Sequence, residues 1–189
     1  GQELPVLLQN APSVNAYSDN GSGMGYSSMR LRGFDQSRIN LSINGVPVND
    51  PENLGFFSNN FADILSSAQD VSVMPGVGIG NNGTSSLGGA ISIATISPSD
   101  TAAMSFEGNY GFSERYSNFF NNNSANNPFF SQRNSLSFHT GNINNFKFYG
   151  RLSYAATDGF RDRSNSELSS YTFSLHYKYK KHQFQLNAW

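Results

Sequence analysis

The chain has 189 residues, a net charge of -1 at pH 7, 13% charged residues and 14% aromatic residues. That balance excludes a disordered acidic tail and offers no broad cationic surface for nucleic acid. Cysteine is absent, which removes a disulfide framework and any thiolate metal site. No apolar run approaches the roughly 20 residues of a membrane-spanning helix, so a membrane could be crossed only by strands, which leave a weaker hydropathy trace.

Glu3 to Asn10 predicts a short helix, with Pro5 in its first turn, Leu4, Leu7 and Leu8 on one face, and Ala11-Pro12 as its stop. Tyr17 to Tyr26 is polar and glycine-rich and predicts a loop. It has two readings: a connector, or a ligand-facing loop carried by a rigid scaffold. Ser28 to Phe34 alternates Met29, Leu31 and Gly33 against Ser28, Arg30 and Arg32, predicting a half-buried strand whose basic face wants carboxylate partners. Arg38 to Ile43 predicts a second strand and Asn44-Gly45 a tight hairpin, since both residues accept positive φ. Val46-Pro47-Val48 then reads as an edge segment, because proline cannot donate to a ladder.

Asp50 and Glu52 raise acid–base chemistry or a metal, but Pro51 between them and the lack of a nearby histidine favour a turn. Phe56 and Phe57 lie in a Gly/Asn-rich loop, where they either plug the core or stand at an exposed apex. Phe61 to Leu65 predicts a short helix with Phe61, Ile64 and Leu65 on one side, and Asp70 to Met74 another strand. The glycine-rich run from Pro75 to Gly83 tempts a phosphate-loop reading. It has no Lys-Ser/Thr ending, no helix pattern follows, and no Lys or Arg occurs between Arg38 and Arg115. Leu87 to Ile93 instead returns the chain to a strand.

Past Ile96 to Asp100 the period becomes two. Met104, Phe106, Tyr110 and Phe112 oppose Ser105, Glu107 and Asn109; Leu136 and Phe138 oppose Ser135, Ser137 and His139. Phe146, Phe148, Leu152 and Tyr154 oppose Lys147, Tyr149, Arg151 and Ser153, and Tyr171, Phe173, Leu175, Tyr177 and Tyr179 oppose Thr172, Ser174, His176 and Lys178. A last strand starts at Phe184. Connections alternate: 113–131 long, 141–145 short, 158–169 long, 180–183 short, the pattern of outer-membrane barrels with long loops outside and short periplasmic turns. His139 and His176 fall on non-adjacent strands, which disfavours a metal pair. Three lysines, Lys178, Lys180 and Lys181, gather near a short turn. No nucleophile elbow, zinc-protease pair or dinucleotide fingerprint occurs.

Met29-Arg30-Leu31-Arg32-Gly33-Phe34, then Ile43-Asn44-Gly45-Val46-Pro47-Val48-Asn49-Asp50, then Val71-Ser72-Val73 and the run closing with Leu87-Gly88-Gly89-Ala90-Ile91-Ser92-Ile93, resemble in order the plug domain of TonB-dependent outer-membrane receptors. The resemblance implies an α+β plug domain over residues 1–97, a small mixed sheet with short helices, followed over 98–189 by about five antiparallel transmembrane strands of a β-barrel with about 22 strands when complete. Five strands cannot close a barrel, whose smallest examples use about 8, so the chain is expected to be a fragment. It is expected to lack a signal peptide and the segment that binds TonB.

On the resemblance the protein is a receptor of the Gram-negative outer membrane that binds a nutrient such as an iron chelate, haem or an oligosaccharide and imports it with energy from TonB. With those catalytic motifs absent and the histidines apart, no enzyme activity, metal or cofactor is expected; on the resemblance, outer-membrane lipid surrounds the barrel. Ligand contact is expected at Tyr26, Asn53, Phe56, Phe57, Asn81 and Asn82. Anchoring of the plug to wall glutamates is expected at Arg32, with Arg30 beside it. One departure from the family pattern is Pro75-Gly76, which stands where Arg-Gly usually follows Val-x-Val. That gives weight to an alternative, a non-transporting plugged barrel that docks a surface lipoprotein or other outer-membrane subunits.

Overall fold

The computed structural model describes residues 3–19, 21–77, 86–115, 127–159 and 163–189. Helix α1 (Leu4–Leu8) carries Pro5 in its first turn, where a missing amide hydrogen costs nothing. Strands β1 (Val14–Ser18) and β2 (Ser27–Leu31) then form an antiparallel pair with Tyr17 opposite Ser28. Strand β1 corrects the sequence reading, which began a loop at Tyr17. Neither face of Val14-Asn15-Ala16-Tyr17-Ser18 is apolar enough to announce a strand; pairing with β2 makes it one.

Strand β2 ends at Leu31, short of the expected Phe34. Leu31 and Phe34 exchange backbone hydrogen bonds of 3.0 Å across Arg32 and Gly33, both at positive φ (52° and 82°). Arg32 therefore occupies a tight turn, not a strand face.

The plug sheet has the order β4-β3-β6-β5, built from β3 (Ile39–Ile43), β4 (Val46–Pro47), β5 (Ala68–Pro75) and β6 (Gly89–Thr95). Strand β3 runs parallel to β6, and the other pairs are antiparallel. Asn44 and Gly45 turn the β3–β4 hairpin with φ of 51° and 80°. The Asn44 side chain also closes on Thr95 through two hydrogen bonds of 2.8 and 2.9 Å. Pro47 sits on the sheet edge, where its missing donor is harmless. Leu31, Ile39, Leu41, Ile43, Ile91 and Ile93 are fully buried in one cluster with Leu4, Met29, Phe56 and Ile64. Each such side chain contributes about 1.5–3 kcal/mol of burial.

The helix expected over Phe61–Leu65 is instead two 3-10 turns, Ser58–Phe61 and Ile64–Ser67, separated at Asp63, whose φ is 62°. A left-handed residue cannot sit inside an α-helix, and Asp tolerates that conformation better than most residues.

The second half is an antiparallel sheet in the order β11-β10-β9-β8-β7. Its strands are β7 (Ala102–Arg115), β8 (Asn127–Thr140), β9 (Phe146–Thr157), β10 (Ser166–Tyr179) and β11 (His182–Ala188). Strands β8 and β10 begin several residues earlier than their apolar alternation, because Asn127–Ser131 pair with Gly111–Arg115 and Ser166–Ser170 pair with Ser153–Thr157. One face of this wall is apolar and open: Met104, Phe106, Phe112, Phe184 and Leu186 are all more than half exposed. The other face meets the plug, burying Tyr149, Arg151, Thr172 and Ser174 and packing Trp189 against the plug core.

Candidate functional site: the plug–wall seam and the plug apex

Asp63 carries the contact between plug and wall. Its left-handed backbone turns the carboxylate outward from the break between the two 3-10 turns, and each oxygen meets a different arginine. Arg133 of β8 pairs with Oδ1, and Arg151 of β9 lies 3.2 Å from Oδ2. Both arginines come from odd positions of the period-two pattern, the face turned towards the plug. Ser66 completes the group. Its hydroxyl donates to Asp63 Oδ1 (2.6 Å) and accepts from Arg133, while its carbonyl accepts from Arg151 Nη1 (2.8 Å). The side chains of Asp63, Arg133 and Arg151 are 10%, 14% and 8% exposed, so this is a desolvated ion triad and not a screened surface pair. The Nε atoms of both arginines are buried without a partner.

Glu3 lies beside this group, in a small cavity that Asp63, Arg133, Ser153 and Ser170 also line. Its amide donates to the Gly23 carbonyl (2.7 Å), its Oε2 is buried without a partner, and the residue is 3% exposed. Burial pushes its carboxyl up from 4.5 to about 7; a hydrogen bond from the Gly25 amide opposes this, and the Asp63 charge adds to it.

A second fastening holds the linker between the two halves. The Ser99 amide donates to His139 Nδ1 (3.1 Å), and Lys147 lies 2.5 Å from Asp100. The His139 ring lies tilted against that of Tyr149, centroids 4.7 Å apart, and Tyr149 is almost fully buried.

Tyr26, Asn53 and Phe57 are exposed on the plug. A hydrogen bond of 3.1 Å between the Ser27 and Ser58 hydroxyls joins the residues next to Tyr26 and Phe57, so the two loops are neighbours. Phe57 lines an open groove with Asp50, Asn60 and Phe61. Phe56 departs from its expected ligand contact: it is 2% exposed and packs in the plug core, so the adjacent rings divide between core and surface. Asn81 and Asn82 lie outside the described residues. Asp50 accepts from the Glu52 and Asn53 amides, which makes it the cap of a turn. Neighbouring Asn49 brackets the same loop through Ile39, Leu41 and Leu54. Arg30 is exposed opposite Asn15, and the Arg32 guanidinium lies against Gly76, its Nη1 2.8 Å from where a β-carbon would stand. Among the described residues neither forms an ion pair.

The seam residues Glu3, Asp63, Arg133 and Arg151 were not singled out from sequence as a site. A signal did exist for Arg133 and Arg151, since a charge on the inward-turned face of a period-two strand needs a partner. Asp63 carried none, because its neighbours read as a helix.

The TonB-dependent Receptor Plug Domain family matches residues 1–90. These residues are a TonB-dependent receptor plug domain. The strands that follow the plug domain continue the same likeness. The siderophore receptor PirA from Pseudomonas aeruginosa is similar in fold at 14% identity and a TM-score of 0.65, over 98% of this chain and 31% of that one. PirA from Acinetobacter baumannii gives 13% and 0.67 over 100% and 30%. The ferric citrate transporter FecA in its unliganded form gives 21% and 0.68 over 98% and 28%. The plug domain and its wall strands thus span less than a third of the length of these structures. A comparison with curated protein sequences finds no match.

Proposed function

We propose that this TonB-dependent receptor works in a Gram-negative outer membrane, binding a nutrient at the extracellular face and importing it through a plug-gated barrel driven by TonB. The observation that carries the reading is the seam. A plug domain is held by Asp63 against the inner face of a wall whose outer face exposes Met104, Phe106 and Phe112. In a barrel of about 22 strands, too wide to be filled by its own side chains, such a plug is the gate. Movement of the plug must break or carry along the contacts of Asp63 with Arg133 and Arg151. Arg30 and Arg32 are available to pair with glutamates from wall strands beyond these five.

Ligand contact is proposed for Tyr26, Asn53 and Phe57, which share the exposed side of neighbouring loops, with Phe57 as the aromatic anchor. An iron chelate is the first class to try, since the similar proteins are siderophore receptors and a ferric citrate transporter. The test is uptake of radiolabelled ferric citrate, haem and a maltooligosaccharide by cells carrying the full-length receptor, with and without TonB. TonB-dependent uptake of one of them is expected. Phe57→Ala should weaken that uptake's apparent affinity by about tenfold, the scale of a single aromatic anchor. No TonB-dependent uptake of any of the three, with the receptor folded in the membrane, would sink TonB-driven import and favour docking of outer-membrane subunits.

A further inference from the structure

The short turn between β10 and β11 carries a chemistry that neither gating nor ligand capture uses. Tyr179 pairs with His182, leaving only Lys180 and Lys181 to turn the hairpin. A two-residue hairpin turn favours Asn and Gly, yet Lys180 is held at a φ of 53°. Lysine has no local advantage in that conformation, and a strained residue at a surface turn points to a role. The Lys180 ammonium is drawn back over the Tyr179 ring, 5.3 Å from its centre.

Tyr179 belongs to a cluster on the lipid-facing side. Phe146 and Tyr177 stack at 4.0 Å, and Tyr177 stands 6.3 Å from Phe184 and 6.4 Å from Tyr179. Phe146, Tyr179 and Phe184 are each about half exposed. From Tyr171 to Tyr179 the outward positions of β10 are all apolar or aromatic; eight residues at about 3.4 Å, inclined at about 40°, rise roughly 20 Å. That approaches the roughly 25 Å apolar band of outer-membrane barrels, so Tyr179 stands at its lower border and Lys180 and Lys181 just beyond it. The carboxylate of Asp100, at the same end of the wall, is already taken by inward-facing Lys147.

We propose that Lys180 and Lys181, just beyond the Phe146, Tyr177, Tyr179 and Phe184 rings, form a binding site for the headgroup of an anionic phospholipid in the periplasmic leaflet. The rings hold the glycerol and upper acyl region, and the two ammonium groups hold the phosphate. The inference rests on the outer-membrane reading above.

Its test uses the full-length receptor and the double variant Lys180→Asn/Lys181→Gly, which supplies the preferred turn residues and so preserves the hairpin. Native mass spectrometry in detergent with added phosphatidylglycerol should show retained lipid on the wild type, with apparent affinity falling on the order of tenfold in the variant. Phosphatidylcholine should bind more weakly and be indifferent to the change. Equal retention of the two lipids by the wild type, or unchanged phosphatidylglycerol binding by the variant, overturns the site. Flotation with phosphatidylcholine vesicles separates the two failures: a receptor that inserts there but shows no phosphatidylglycerol preference sinks only the lipid site. A receptor that inserts into no vesicle sinks the membrane reading as well.

Discussion

Glu3 is a carboxylate held away from water, 3% exposed. Its carboxyl is raised to about 7 from 4.5, chiefly by burial, so between those values the folded chain holds a proton that the unfolded chain releases. The stability this supplies is fully present below pH 4.5 and is lost as pH rises through about 7. Glu3→Gln should therefore flatten the fall in stability across that window, read as thermal melting of the full-length receptor at stepped pH. An unchanged slope would mean that Glu3 is not the titrating group. Single residues were also where sequence reading divided most clearly. Phe56 and Phe57 are chemically identical neighbours, and only the Ser27–Ser58 contact and the plug core decide which ring is buried. The turn at Asn44-Gly45 was legible because the demand for positive φ is local; the orientation of a ring is not.

At the level of elements, Gly89 governs how closely β5 and β6 approach. Its φ is +144°, and a β-carbon there would stand 2.4 Å from the Met74 carbonyl oxygen and 2.6 Å from Leu31 Cδ2. Backbone strain and overpacking together put the cost of Gly89→Ala at about 2–5 kcal/mol. Gly33→Ala, with φ +82° and open space around it, should cost only about 1–2 kcal/mol. Hydrogen exchange at the β5 amides should be faster in the first variant and near wild type in the second; the reverse order would refute the steric account. The β3–β4 hairpin and the period-two wall strands were legible because each writes its geometry into local residue choice. Strand β1, the broken helix at Asp63 and the upper ends of β8 and β10 were not, because each depends on a partner segment: β2, the wall arginines and the neighbouring wall strands.

On the scale of the whole molecule, plug and wall are joined by a desolvated triad, and removing one member leaves the others uncompensated. Asp63→Asn should lower the stability of the seated plug by about 3–5 kcal/mol, measured by chemical denaturation of the full-length receptor. Asp63→Asn combined with Arg133→Met and Arg151→Met should recover most of that loss, since Asn tolerates the left-handed backbone and no buried charge is left uncompensated. A triple variant as unstable as the single one would show that the triad is not what holds the plug. The wall side of this joint also bears on biogenesis. Ser66 reaches Arg133 across 67 positions and Asp63 reaches Arg151 across 88, both within the stretch of chain immediately after the plug. The cork is thus tied to the second and third staves of the cask. In the plugged barrel proposed above, those contacts can form before any later stave is laid.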